Sequence, residues 1–159
     1  MVQQLPTLGQ LERDLSQNIH KLYKEELKHS PQKITSKFFG NQLAIIIEDA
    51  LTAVEQILID EHNEQMAVNL NLAIGDVIKV KLKTLIEAIL KVEVEDILFD
   101  STIKTKCTGA IVLLSQLPQV RNSKSFWKVP KIQPKNEQNG SRADNDLALT
   151  STQGETSSQ

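Results

Sequence analysis

Three histidines, one cysteine and a cluster of carboxylates are the residues of this chain that could carry chemistry, and their spacing argues against most of it. His20, His29 and His62 are scattered and form no HExxH or comparable ligand pattern. His62 lies beside Asp60, Glu61 and Glu64, a set of the kind that hard cations take. Successive residues of a helix diverge by about 100°, however, so these side chains point apart and read as a solvated helix end. Cys107 has Lys104 and Lys106 nearby, and cations lower a thiol pKa. No histidine accompanies it, so a packed or simply exposed thiol is expected. A lone cysteine also excludes a disulfide framework and a cysteine-rich metal site. Glu93, Glu95, Asp96 and Asp100 bracket an apolar strand. Acid–base work needs carboxylates held together in a cleft. Strict alternation instead puts Glu93 and Glu95 on the face of Ile97 and Phe99, with Asp96 and Asp100 on the other, a pattern that guards a sheet edge against pairing. Neither GxxxxGK[ST], GxGxxG nor GxSxG occurs. The expectation is a protein that is not an enzyme, with no cofactor, no metal and no catalytic residue.

One segment outside the apparent fold has a functional look. Lys124-Ser-Phe-Trp-Lys-Val-Pro-Lys-Ile-Gln-Pro-Lys135 places Phe126 and Trp127 among Lys124, Lys128 and Lys131. Residues 1–120 carry 12 basic and 16 acidic side chains, whereas residues 121–135 carry five basic ones and no acid. An anionic partner would have to meet that short stretch. Aromatics among cations can anchor at an anionic membrane surface or a protein, and can stack on nucleic acid, the least expected of these. The alternative is that the segment folds back on its own domain and covers a sheet edge.

The elements that would position these residues are clearer. Ile34 to Glu48 reads as a β-hairpin closed by Gly40-Asn41, a two-residue loop with glycine where a positive φ is needed. That loop sets Phe38 opposite Leu43, Ser36 opposite Ile45 and Ile34 opposite Ile47 on one largely apolar face. Thr35, Lys37, Phe39, Gln42, Ala44 and Ile46 form a mixed face, a place for a contact. Before the hairpin, Thr7 to Lys28 predicts a helix with a Thr7/Gln10 capping box and a stripe of Leu8, Leu11, Leu15, Ile19, Leu22 and Leu27, stopped by Ser30-Pro31. After it, Thr52 and Glu55 form a second capping box opening a short helix, with Val54, Ile57 and Leu58 expected inward. Asn63 to Lys91 predicts one long helix. Ile78-Lys-Val-Lys-Leu-Lys83 alternates like a strand, but the flanking apolar spacing is helical and no turn signal interrupts it. Gly75 allows a kink or a close helix contact. Val94–Phe99 and Gly109–Ser115 are then two more strands, joined as a hairpin by residues 100–108.

The order α-ββ-α-α-ββ gives an α+β fold of two layers, a four-stranded antiparallel sheet with the long helix packed on one face. At 159 residues the chain can bury one good core. Residues 1–121 are expected to form that domain, and residues 122–159, rich in Ser, Gln, Asn, Thr and Lys, a disordered polar tail. The longest apolar run, Leu43 to Ile47, is far too short to span a membrane, and the N-terminus lacks a secretory signal. The cytoplasm is the expected compartment.

Several of these residues together resemble the MpsC-like family. They are Leu22-Tyr23-Lys24-Glu25 followed by Pro31, the apolar strand leading into Leu51-Thr52-Ala-Val-Glu55, and Asp100-Ser-Thr with Thr105 and Thr108-Gly109 before the last strand. The resemblance covers about residues 8–117. Where many members carry arginines early in the long helix, this chain has Met66-Ala-Val-Asn-Leu-Asn-Leu72, and Lys91-Val92-Glu93 stands where a glycine is common. The family takes its name from a sodium-translocating, membrane-potential-generating system. The resemblance implies an accessory or regulatory protein linked to such a membrane complex, placed peripherally at the inner face. Without a spanning helix the chain could not itself conduct sodium. Apolar residues fill 16 of the 25 positions from Met66 to Leu90, more than one buried stripe requires. That excess predicts a homodimer or partner contact through Met66, Leu70 and Ile74.

Overall fold

The computed structural model describes residues 4–127. Its elements run α1 (Leu8–Leu27), β1 (Lys33–Phe39), β2 (Gln42–Glu48), α2 (Ala53–Asp60), α3 (Glu64–Leu90), β3 (Val94–Thr102) and β4 (Cys107–Leu114), followed by a short 3-10 turn at Ser123–Trp127. The four strands form one antiparallel sheet in the order β1-β2-β4-β3, so the two hairpins lie side by side. The α+β reading is therefore correct, as is its element order.

The first hairpin has the register that its loop dictates: Phe38 faces Leu43, Ser36 faces Ile45 and Ile34 faces Ile47. Gly40 has φ 60, the conformation that closes a two-residue turn without strain. Asn41 ties the turn to the next hairpin, donating from Nδ2 to the Leu114 carbonyl at 3.0 Å and accepting from the Leu114 N–H at 3.0 Å. The connection of the second hairpin is shorter than expected, because β3 continues to Thr102 and β4 begins at Cys107.

One face of the sheet is the core. Leu43, Ile45, Ile47, Val112, Leu114 and Val94 are buried there against Leu15 and Ile19 of α1 and Ile78, Leu82 and Ile86 of α3. Each fully buried aliphatic side chain contributes about 1.5–3 kcal/mol relative to exposure. No described element lies over the other face, which leaves Phe39, Ile46, Leu98 and Ile111 exposed on it. Edge strand β1 is guarded by α1: Glu12 accepts from the Phe38 N–H at 3.2 Å and pairs with Lys37 at 2.6 Å.

Four expectations need correction. Tyr23 is buried in α1 and Leu22 only half so, because the helix is rotated slightly from the all-leucine stripe. In α2, Val54 and Ile57 point outward and Glu55 points inward. Val94 and Ile97 both face the core, because a bulge at Val94–Asp96 interrupts the alternation and leaves Glu95 exposed. Ordered structure also runs past Arg121. Phe126 is buried and its ring stands edge-on to Phe38 at 5.5 Å, while its carbonyl accepts from the Gly40 N–H at 3.2 Å. Asn122 Oδ1 accepts from the Leu8 N–H at 2.9 Å, pinning this segment to the start of α1.

Gly75 does mark a close contact, with a strand rather than another helix: a Cβ there would lie 3.2 Å from the Phe99 ring. The disordered-tail reading, Lys128, Lys131 and the Trp127 side chain lie outside the described residues.

Candidate functional site

The capping box that opens α2 does more than end a helix. Thr52 accepts from the Glu55 N–H at 3.4 Å, and Glu55 Oε2 accepts from the Thr52 N–H at 2.7 Å and from its hydroxyl at 2.6 Å. This turns the Glu55 carboxylate toward the domain interior, where it is 1% exposed. Its other oxygen accepts from Asn71 Nδ2 of α3 at 2.7 Å. None of the four ion pairs among the described residues includes Glu55. Three donors, aided by the positive end of α2, hold the charge in place of a cation.

Strand β4 completes the surroundings. Ser101 Oγ and Thr108 Oγ1 lie 2.7 Å apart across the β3–β4 ladder. Tyr23, Glu55, Asn71, Ser101 and Thr108 line a cavity of about 10 Å³ together with Ile74, Gly75 and Phe99. That is about the room one water requires. Burial pushes the Tyr23 phenol well above its ordinary range; hydrogen bonding to Thr108 pulls it down and the nearby Glu55 charge pushes it up. The cluster is too tight to admit an organic substrate. Its hydrogen bonds tie α2 to α3 through Glu55 and Asn71, and α1 to the second hairpin through Tyr23 and Thr108.

Tyr23 is the single tyrosine of the chain, which gives this cluster an optical probe. Below the ordinary tyrosine pKa of about 10, folded and unfolded chains both keep the phenol neutral. Above it the unfolded chain ionises first, so the stability tied to the neutral buried phenol is lost as pH rises. Denaturant midpoints measured from about pH 9 to 11 should fall more steeply for the native chain than for Tyr23→Phe. Tyrosinate absorbance should appear only with unfolding. Parallel pH curves for the two proteins would show that the phenol is not shielded.

The remaining sequence candidates fall in separate places. Cys107 is half-buried at the start of β4. His29 Nε2 contacts the Asp49 carbonyl at 2.6 Å, a loop tie. Asp96 and Asp100 sit on the open sheet face, paired with Leu113 and Gly109. Of the expected contact residues, Met66 is exposed and Leu70 half-buried, whereas Ile74 packs against the core. Lys124 is exposed, but Phe126 is sealed beneath Phe38 and presents no ring to a membrane in this conformation.

Tyr23, Thr52, Glu55, Ser101 and Thr108 all stand in the segments that carry the family resemblance, but nothing in the sequence says that the fold brings them together, and Asn71 carries no signal at all. The Thr52/Glu55 capping box does not reveal which way the carboxylate turns. Two apolar residues of α2 are uncovered: Val54 is 57% and Ile57 59% exposed. No helix among the described residues is long and apolar enough to cross a membrane.

A family model described as "Na+-translocating membrane potential-generating system (MpsC)" matches residues 7–116, from the cap of α1 to the end of the sheet. No curated protein and no solved structure gives a significant match.

Proposed function

From the premise that the chain belongs to the MpsC family, we propose that it is a non-catalytic binding component of a sodium-linked, membrane-potential-generating system. It acts as an accessory or regulator through protein contacts. The observation that carries this reading is the inversion of α2. A two-turn helix that buries its glutamate and exposes Val54 and Ile57 gains little from its own domain. Apolar exposure at these two positions, one turn apart on the same helix, supports a surface that takes a partner. The sealed polar cluster supports the same reading, since its function is to hold α2 and α3 in one orientation.

The test is retention of the full chain on membrane vesicles from cells that carry the sodium-translocating system, against vesicles lacking it. Retention is expected on the first only, and Val54→Lys/Ile57→Lys should weaken it at least tenfold without loss of helical circular dichroism. Equal retention on both vesicle types, or by both proteins, would overturn the reading.

A further inference from the structure

The outer side of α3 carries a second apolar stripe, distinct from the one that packs on the sheet. Met66, Leu70, Ala73, Val77 and Val80 recur at alternating steps of four and three, and the polar Thr84, whose hydroxyl donates to the Val80 carbonyl at 3.3 Å, closes the series. That is the spacing of a coiled-coil seam, sustained over about 27 Å of helix. Val77 is 54% and Val80 68% exposed; Met66, Ala73 and Thr84 are exposed as well, and Leu70 is half-buried. The core-facing stripe of Ala67, Ile78, Leu82, Ile86 and Leu90 lies on another side of the same helix. One helix thus carries two seams and its own domain fills one.

Charge along α3 says what fits the other. The first half and its approach carry Glu61, Glu64 and Asp76; the second half carries Lys79, Lys81 and Lys83, with Lys91 at its cap, and one acid, Glu87, which accepts from the Val94 N–H of its own domain at 2.9 Å. Lys81 is engaged by Glu26 at 3.0 Å, whereas Asp76 and Lys83 take part in none of the ion pairs among the described residues. Asp76 and Lys83 stand one heptad apart on the same border of the outer stripe. A helix of the same period, laid in the reverse direction, matches each half with its opposite. The chain itself supplies such a helix.

We propose that a second copy of this chain covers the stripe, with α3 against α3, antiparallel, about a two-fold axis near Ile78 and Lys79. In that register Val77 faces Val80 of the partner subunit, Ala73 faces Thr84 of the partner subunit, and Asp76 meets Lys83 of the partner subunit. Each contact occurs twice, as a two-fold requires. The inference rests on the reading that the protein acts by binding, but it concerns α3 and leaves α2 free for the membrane system.

Cross-linking of the full chain in a Cys107→Ser background tests it. Ala73→Cys and Thr84→Cys are prepared separately and also co-expressed. In the antiparallel pair the two copies of position 73 lie eleven residues of helix apart, about 16 Å. A disulfide needs Cα atoms about 4.4–6.8 Å apart. Only the co-expressed sample should therefore yield the oxidised dimer. Cross-linking of each variant alone would mean parallel helices and would overturn the proposal, as would no cross-link in any sample or a monomer in sedimentation velocity. In the same sedimentation assay, Asp76→Lys should weaken association severalfold and Asp76→Lys/Lys83→Glu should restore it. Failure of the double variant to recover would overturn the register. Both assays run without membranes, so their failure leaves the vesicle result standing, and the reverse holds too.

Discussion

Glu55→Ala is expected to lower the stability of the folded chain by about 3 kcal/mol, mostly through the donors it orphans. The Thr52 N–H, the Thr52 hydroxyl and Asn71 Nδ2 all end on this carboxylate. A buried donor left unsatisfied costs about 1–3 kcal/mol, and loss of a cap about 1 kcal/mol. The small cavity beside Glu55 grows when the side chain is removed, and a water entering it recovers part of that loss. This keeps the total well below the sum of its parts. Glu55→Gln retains the volume but brings an amide donor to a point where three donors already converge. Asn71 can turn its amide oxygen to meet it, so a milder loss of about 1–2 kcal/mol is expected. Urea unfolding with an unchanged slope would measure both. If Glu55→Ala cost no more than Thr52→Ala, the carboxylate would be serving only as a helix cap.

Phe38→Ala should be at least as damaging, by about 3–5 kcal/mol, the range for truncating a buried aromatic. Phe38 is buried in the last inward position of β1 and packs against Phe126. Phe126→Ala removes the same ring pair from the other side, but the segment it anchors is peripheral and can detach without unfolding the sheet. Its global effect should be smaller, and its local effect specific. The Gly40 N–H, bonded to the Phe126 carbonyl, should exchange with solvent much faster. The coupling between the two substitutions should be about 0.5–1.5 kcal/mol, the usual worth of an edge-to-face pair. Additive effects and an unchanged Gly40 exchange rate would show that the segment after Arg121 is not docked.

Much of this architecture was legible because local signals agreed with one another. Gly40-Asn41 admits a two-residue turn, and the alternation on both sides admits one register, so the first hairpin follows from its own residues. α3 was readable as a helix despite the strand-like Ile78–Lys83, since the apolar spacing before and after it never changed period. What failed was the direction in which short or ambiguous elements turn. α2 has barely two turns, and its apolar residues suggested an inward face. The fold instead turns Glu55 inward, because Asn71, sixteen residues further on, waits to donate to it. Ile74 looked like part of an outer contact with Met66 and Leu70, but the close approach of Phe99 at Gly75 turns that side of α3 toward the core. The bulge at Val94–Asp96 turns Val94 inward and leaves Glu95 exposed, which no alternation rule anticipates, while Asp96 and Asp100 keep the face that alternation assigns them. The polar cluster draws on α1, α2, α3, β3 and β4, so it exists only after folding.

The surface reading of α2 meets its most direct test in hydrogen–deuterium exchange of the full chain, free and bound to membrane vesicles that carry the sodium-translocating system. Added protection should fall on residues 53–60 and the adjoining first half of α3, with the open face of the sheet at Ile46, Leu98 and Ile111 unchanged. Protection confined to the sheet, with α2 exchanging as fast as in the free protein, would contradict it.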